Sequence, residues 1–388
     1  MKKTYLLLVC LLFVLYAASC GGEETDENND TPIVDMPTVP VRVSENNQYM
    51  NPIYPIVNGD KKPTYMADPF VVRDESTGKF YMYTTQTDVF TPNPAFKRGP
   101  IWSSIDMVNW TYVGDVFKDY IPNWGTQGAG VWAPTVIKIG DKWNYYYSFS
   151  TGGDPNPGIG VATSDTPYGP WKHYGKLFNS NEIGVTNSID PFVLIDDGKV
   201  YMAFGSYGGL ITIVELTADG LGLQGGLEKQ KNEKVAIAGY EIFDMNNYEG
   251  TVIFKRDGYY YLLLSTGSCC SGVSSTYKVV SAKSESLFGP YKDSKGREIT
   301  KPNCGDPVVV PNMRGAMGVG HCCVVPDDKN NLWMIYHGYD TTSVQKDWRV
   351  TYIDQLLFDK DTKMPYVLDY KASNGIVKDG PYISALEE

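Results

Sequence analysis

A short apolar strand, a polar turn and an aromatic-rich strand follow one another five times in this chain of 388 residues. The copies read "ADPFVVRDESTGKFYMYTT" from Ala67, "VWAPTVIKIGDKWNYYYSFS" from Val131 and "IDPFVLIDDGKVYMAFGS" from Ile189. "YEGTVIFKRDGYYYLLLS" follows from Tyr248 and "GHCCVVPDDKNNLWMIYHGY" from Gly320. Each is the strand-turn-strand signature of a β-hairpin.

One landmark per copy (Asp68, Trp132, Asp190, Glu249 and His321) gives separations of 64, 58, 59 and 72 residues. β units at near-constant spacing, with no helical periodicity between them, indicate a repeat architecture. Each unit is long enough for four strands. The expected fold is therefore all-β, a five-bladed β-propeller. In such a fold the innermost strand of every blade lines one central channel, and the heads of those strands converge on one face. Three of the five landmarks, Asp68, Asp190 and Glu249, are carboxylates. An Asp before Pro is often only a turn-former. Acids at three equivalent positions around one axis repel each other, however, and so point to function.

Carboxylates facing each other across an open pocket can hydrolyse a glycosidic bond. One, protonated, gives a proton to the departing oxygen; another, ionised, activates water or attacks; a third negative charge raises the pKa of the acid. The formal net charge of −11 argues against a nucleic-acid partner, which needs a basic stripe. No Gly-x-Ser-x-Gly elbow, His-Glu-x-x-His or P-loop occurs. The abundant Tyr and Trp suit both sugar stacking and blade cores, so they decide nothing alone.

The set "ADPFVV", "WAPTV", "IDPFV", "YEGTVIFKRDGYYYL", "GVGH" and "WMIYHGY", in this order, resembles glycoside hydrolase family 43. The resemblance implies a general base at Asp68, a general acid at Glu249 and, at Asp190, a residue that tunes and orients the acid. It also implies inversion at the anomeric carbon, with base and acid about 6.5–9.5 Å apart to admit water, and no cofactor for the chemistry. Arg349, in "DWRVTYIDQLLFD", matches a family arginine that contacts the acid cluster or a sugar hydroxyl. Trp132 is a candidate stacking platform, or alternatively a blade-core tryptophan. Phe70 and Ser206, in matched stretches, are further candidate substrate contacts. In arabinan-active relatives the histidine matching His321 lies under the site and binds a central cation, often calcium. Calcium prefers several oxygen ligands, so a hydrogen-bonded channel histidine is the alternative. His337, in "IYHGY", is expected to pack or hydrogen-bond within its blade.

"CCSGVSSTYKVVSAKSESLFGPYKD", from Cys269, is similar to a segment of arabinan-degrading members, as are "NSIDP" and "FGSYGGLI". These favour α-linked L-arabinofuranose over β-xylose. Endo-acting members usually carry His directly before the base, where this chain has Ala67, and an acid after Ala-Pro that is missing from "GVWAPTV". Both departures favour an exo-acting α-L-arabinofuranosidase, with endo-1,5-α-L-arabinanase and β-xylosidase as alternatives. A glycan-capturing surface propeller without catalysis is the rival from another class.

The first 20 residues read as a lipoprotein signal: Lys2 and Lys3, the run "YLLLVCLLFVLYA", then small residues before Cys20. Residues 21–45 are acidic and proline-containing, a flexible tether, and 46–388 form the expected catalytic domain. The protein is therefore expected to be exported and held at the cell envelope by lipid on Cys20, its one contact with a membrane. Its partner is a polysaccharide or oligosaccharide substrate. Beyond Cys20 there are five cysteines without zinc spacing, expected mostly as buried small hydrophobes with room for one disulfide.

Overall fold

The computed structural model describes residues 47–87, 96–240 and 247–384. The expected signal and tether lie outside these residues. The hydrophobic repeats form five sheets, antiparallel except for one short outer pairing in blade I. Blade I is built on an inner strand Phe70–Asp74, followed outward by Lys79–Tyr83, Pro100–Ser104 and Thr111–Asp115, with two short strands beyond. Blades II to V have four strands each and begin on inner strands Gly130–Ile139, Phe192–Asp196, Tyr248–Arg256 and Ala316–Pro326. Each inner strand touches the next, and the fifth touches the first, so the ring closes. This is the five-bladed β-propeller expected from the repeat.

The local chemistry of the repeated phrase explains the hairpins. In blades III and IV the turn is Asp-Gly, with both residues at positive φ (Asp197 46°, Gly198 74°; Asp257 49°, Gly258 83°). Two such residues make the tight turn whose twist suits paired strands. The second strands are apolar on both faces because adjacent blades cover them. Tyr81 and Tyr83 of blade I, for example, pack with Val131, Tyr145 and Tyr147 of blade II. The two Asp-Pro-Phe phrases meet across the axis: Phe70 of blade I stacks edge-on with Phe192 of blade III at 6.3 Å.

The seam between blades V and I is clasped by the two ends of the chain. Strand Gln48–Met50 pairs with Val377–Asp379. Ile53 and Met66 donate backbone bonds to Thr351 and Arg349 on the third strand of blade V. Beneath the clasp sits the buried carboxylate of Asp354. It accepts from the hydroxyls of Tyr49, Tyr336 and Ser373, from Asn51 and from the Ser373 backbone, and pairs with Lys378 at 3.0 Å. Removing a buried, multiply bonded charge strands all of its donors. Asp354→Ala should therefore lower unfolding free energy by about 3–5 kcal/mol. Denaturant titration checks this, and a loss within the error of the titration would sink it.

Candidate active site

Each inner strand carries a residue in the left-handed region, either within it or two residues ahead of it: Asp68 (53°), Ala133 (40°), Asp190 (57°), Gly250 (58°) and His321 (49°). Such backbone is costly for non-glycine residues and persists only when its surroundings enforce it. This ring corrects the register read from the sequence. Asp68, Asp190 and His321 occupy equivalent places, whereas Trp132 and Glu249 stand one residue earlier, before Ala133 and Gly250. The reason is that side-chain type guided the alignment, while backbone conformation defines the repeat. Gly250 is needed where it stands. A Cβ there would lie 3.1 Å from Nδ1 of His321 and 3.3 Å from Oγ of Ser265.

A second ring enforces the first. The N–H of Ala133 donates to Oγ1 of Thr85 (2.9 Å), Asp190 to Oγ of Ser148 (2.8 Å) and His321 to Oγ of Ser265 (2.8 Å). The N–H of Asp68 donates to Nδ1 of His337 (3.1 Å). Every acceptor comes from the second strand of the preceding blade, or from just past its end. Blade III is the exception, since Gly205 holds that place, opposite Asp190 in register. A Cβ at Gly205 would come within 2.2 Å of the Leu210 carbonyl oxygen. With no side chain there, the N–H of Gly250 turns to Oδ2 of Asp190 at 3.3 Å. One tie thus links two of the predicted residues, because Gly250 follows Glu249.

Asp68 is gripped on both oxygens. Oδ1 lies 3.1 Å from Nη1 of Arg349, 3.1 Å from Nδ1 of His337 and 3.5 Å from Nδ1 of His321. Oδ2 accepts from the hydroxyl of Thr85 at 2.5 Å. Burial alone would push this carboxyl up. Arg349 most, then His321, outweigh burial and hold it well below the usual carboxylate range. Arg349 is itself held by Tyr65, whose hydroxyl accepts from Nε at 2.8 Å. The arginine therefore contacts the acid cluster.

Glu249 accepts from Ser206 at Oε2 and from Tyr277 at Oε1, both 2.6 Å. Asp190 is pushed in the opposite direction to Asp68. Burial raises it most; His321 opposes that, and the charges of Glu249 and Asp68 add to the rise, which reaches about 7. One pocket thus holds an acid kept ionised and another that keeps its proton close to neutral pH. If Asp190 tunes its neighbour, loss of its proton above about pH 7 sets a second charge beside Glu249, and Asp190→Asn removes that charge. The basic limb of the pH–rate profile should then move to lower pH. An unmoved limb in kcat/KM would argue against tuning.

Ser206, Arg349, Asp68, Asp190, Glu249 and His321 belong to this cluster. Trp132 is half-buried, unlike the wholly buried Trp102 and Trp110, and occupies in blade II the place of Glu249 in blade IV. Phe70 does not join the polar cluster; it packs on Phe192 two residues further along the inner strand. Among the described residues no group of three or more His, Cys, Asp or Glu is arranged to hold a metal ion. One imidazole beside one carboxylate that is already paired offers calcium too few oxygens, so these side chains do not fit the cation expected near His321. Tyr277, Thr85, Tyr65 and His337 were missed as site residues. Tyr277 lay in the quoted "SSTYK", and Tyr65 three residues before Asp68, but neither carries a signal without the register.

Cys269 and Cys270 form a disulfide between neighbours in sequence, and Sγ of Cys269 lies 3.9 Å from Nη1 of Arg349. Cys304, Cys322 and Cys323 are buried free thiols, the small hydrophobes expected.

A closed five-bladed propeller with three carboxylates at one end of its axis is the build of a carbohydrate-cleaving enzyme. Residues 54–364 match the model of the glycosyl hydrolases family 43; the chain belongs to that family and is a glycoside hydrolase. An extracellular endo-α-(1→5)-L-arabinanase 1 of Bacillus subtilis (strain 168) is 32% identical over 51% of this chain and 61% of its own length. This chain therefore matches less than two thirds of that relative. An extracellular exo-α-(1→5)-L-arabinofuranosidase of Cellvibrio japonicus (strain Ueda107) is 28% identical over 72% of this chain and 80% of its own. The solved structure of Cellvibrio cellulosa α-L-arabinanase complexed with arabinohexaose superposes with a TM-score of 0.67. It is 27% identical and covers 79% of this chain and 96% of that one.

Proposed function

We propose that this enzyme hydrolyses α-1,5-linked L-arabinofuranose in arabinan, with inversion, releasing arabinose from a chain end. The observation that carries the reading is the opposed setting of two acids in one pocket. Asp68 is held ionised by Arg349, while Asp190, beside Glu249, retains a proton near neutral pH. In this reading Asp68 takes a proton from water as the water oxygen bonds to the anomeric carbon. Glu249 gives its proton to the departing glycosidic oxygen as that C–O bond breaks. Ser206 steadies Glu249 and, being a hydroxyl, can reverse its bond to accept from the protonated acid. Arg349 steadies the base, and Trp132 offers a ring face to a bound sugar. The chemistry is proton transfer between carboxylates, water and sugar, and needs no cofactor.

The named activities of the relatives favour arabinan, and Ala67 before the base favours exo cleavage. The relative named as an endo-arabinanase supports the second reading, internal cleavage. Early products from linear α-1,5-arabinan separate them. Arabinose alone supports exo action, and a ladder of oligosaccharides supports endo action. Release from arabinoxylan with none from either linear or branched arabinan would overturn the substrate assignment. We also propose 46–388 as the catalytic domain, exported behind a signal at 1–20 and tethered by 21–45 to lipid on Cys20. A membrane fraction in which the protein takes up no labelled fatty acid would refute the anchor.

A further inference from the structure

His337 sits on the second strand of blade V, wholly buried, and its Nδ1 accepts the Asp68 backbone N–H. Its ring lies nearly parallel to those of Tyr277 (5.7 Å) and His321 (6.3 Å), and its complete burial leaves it little freedom to turn. The other acceptors of this ring, Thr85, Ser148 and Ser265, are hydroxyls, which can donate as readily as accept. Imidazole nitrogen cannot do both. If Nδ1 carried hydrogen it would face the Asp68 N–H donor directly and leave that buried N–H without an acceptor.

We propose that His337 is a positioning residue for the base, acting as a neutral imidazole with hydrogen on Nε2 and a lone pair on Nδ1. That lone pair holds the Asp68 N–H and with it the left-handed backbone that turns the carboxylate towards Arg349. The Asp68 carboxylate oxygen 3.1 Å from the bare Nδ1 sets two lone pairs against each other, a cost that Arg349 on the same oxygen offsets; Nε2, buried and without a partner among the described residues, carries the hydrogen. Burial favours the uncharged ring, lowering its pKa to about 4, in keeping with an acceptor. The inference rests on the reading of Asp68 as base, but its first test does not depend on that reading.

The first measurement is the ¹⁵N spectrum of the imidazoles in the wild-type protein at pH 7. The His337 signals are identified by their absence in His337→Asn. The proposal expects a protonated Nε2 and a bare Nδ1; a protonated Nδ1 overturns it. The second is kinetic. Asn can place an acceptor oxygen near the position of Nδ1, whereas Ala cannot. A base displaced by about 1 Å can cost on the order of 10²-fold in rate. His337→Ala should lose roughly that much in kcat with KM little changed, and His337→Asn should recover most of it. Equal loss in both variants, or near-wild-type rates in both, overturns the proposal. If Asp68→Asn remains active while Nδ1 is bare, the base assignment has failed and the hydrogen-bond assignment stands.

Discussion

Asp68→Asn is expected to yield a folded enzyme whose turnover collapses on every substrate, natural or activated. The amide is nearly isosteric with the carboxylate. Its backbone N–H still reaches His337, and its oxygen can still accept from Thr85 or Arg349. What vanishes is the negative charge, and with it any capacity to take a proton from water. General base catalysis is worth about 10²–10⁴-fold, and an inverting enzyme has no second nucleophile to fall back on. The fall in kcat should therefore be of that order, and it should not depend on the leaving group. A variant that keeps more than about a tenth of wild-type kcat on an aryl arabinofuranoside would show that Asp68 is not the base. The variant should still fold, with a lower melting temperature than wild type, because the buried Arg349 loses its carboxylate partner and keeps Tyr65.

Glu249→Gln should separate substrates that Asp68→Asn treats alike. Tyr277 can still donate to the amide oxygen and Ser206 can accept from the amide nitrogen, so the two bonds that hold the side chain survive. The proton for the leaving group does not. Arabinan and arabino-oligosaccharides leave as alkoxides unless protonated, and their hydrolysis should fall by about 10²–10⁴-fold. A dinitrophenyl arabinofuranoside leaves as a stable phenolate and should lose far less. If polymer and aryl glycoside fell by the same factor, Glu249 would serve some purpose other than proton donation, and Asp190 would become the candidate acid.

The architecture was legible because its signal is local. Each hairpin carries its own turn chemistry, in "DDGK" and "RDG", and five copies at even spacing admit few folds. The identity of the acids was legible for a related reason: Asp68, Asp190 and Glu249 are polar residues at the heads of otherwise apolar strands. Their equivalence was not. Ala133 and Gly250 share the left-handed backbone of Asp68, but nothing in the residue types announces it, so Trp132 and Glu249 took their places in the alignment. The acceptors were hidden for the same cause. Thr85, Ser148 and Ser265 look like ordinary strand-end hydroxyls until the pairing fixes which N–H each one faces. Phe70 lies two residues along the strand from Asp68 and packs on Phe192, one layer away from the acids.

All three acids lie in the first 250 residues, whereas the groups that give Asp68 its character come from the last blade. His337 and Arg349 follow it by 269 and 281 residues. A nascent chain, or one clipped ahead of blade V, would carry every carboxylate that the chemistry asks for and still lack the cation that keeps the base ionised. The base is thus completed across the closing seam, where the C-terminal segment returns to the N-terminal one.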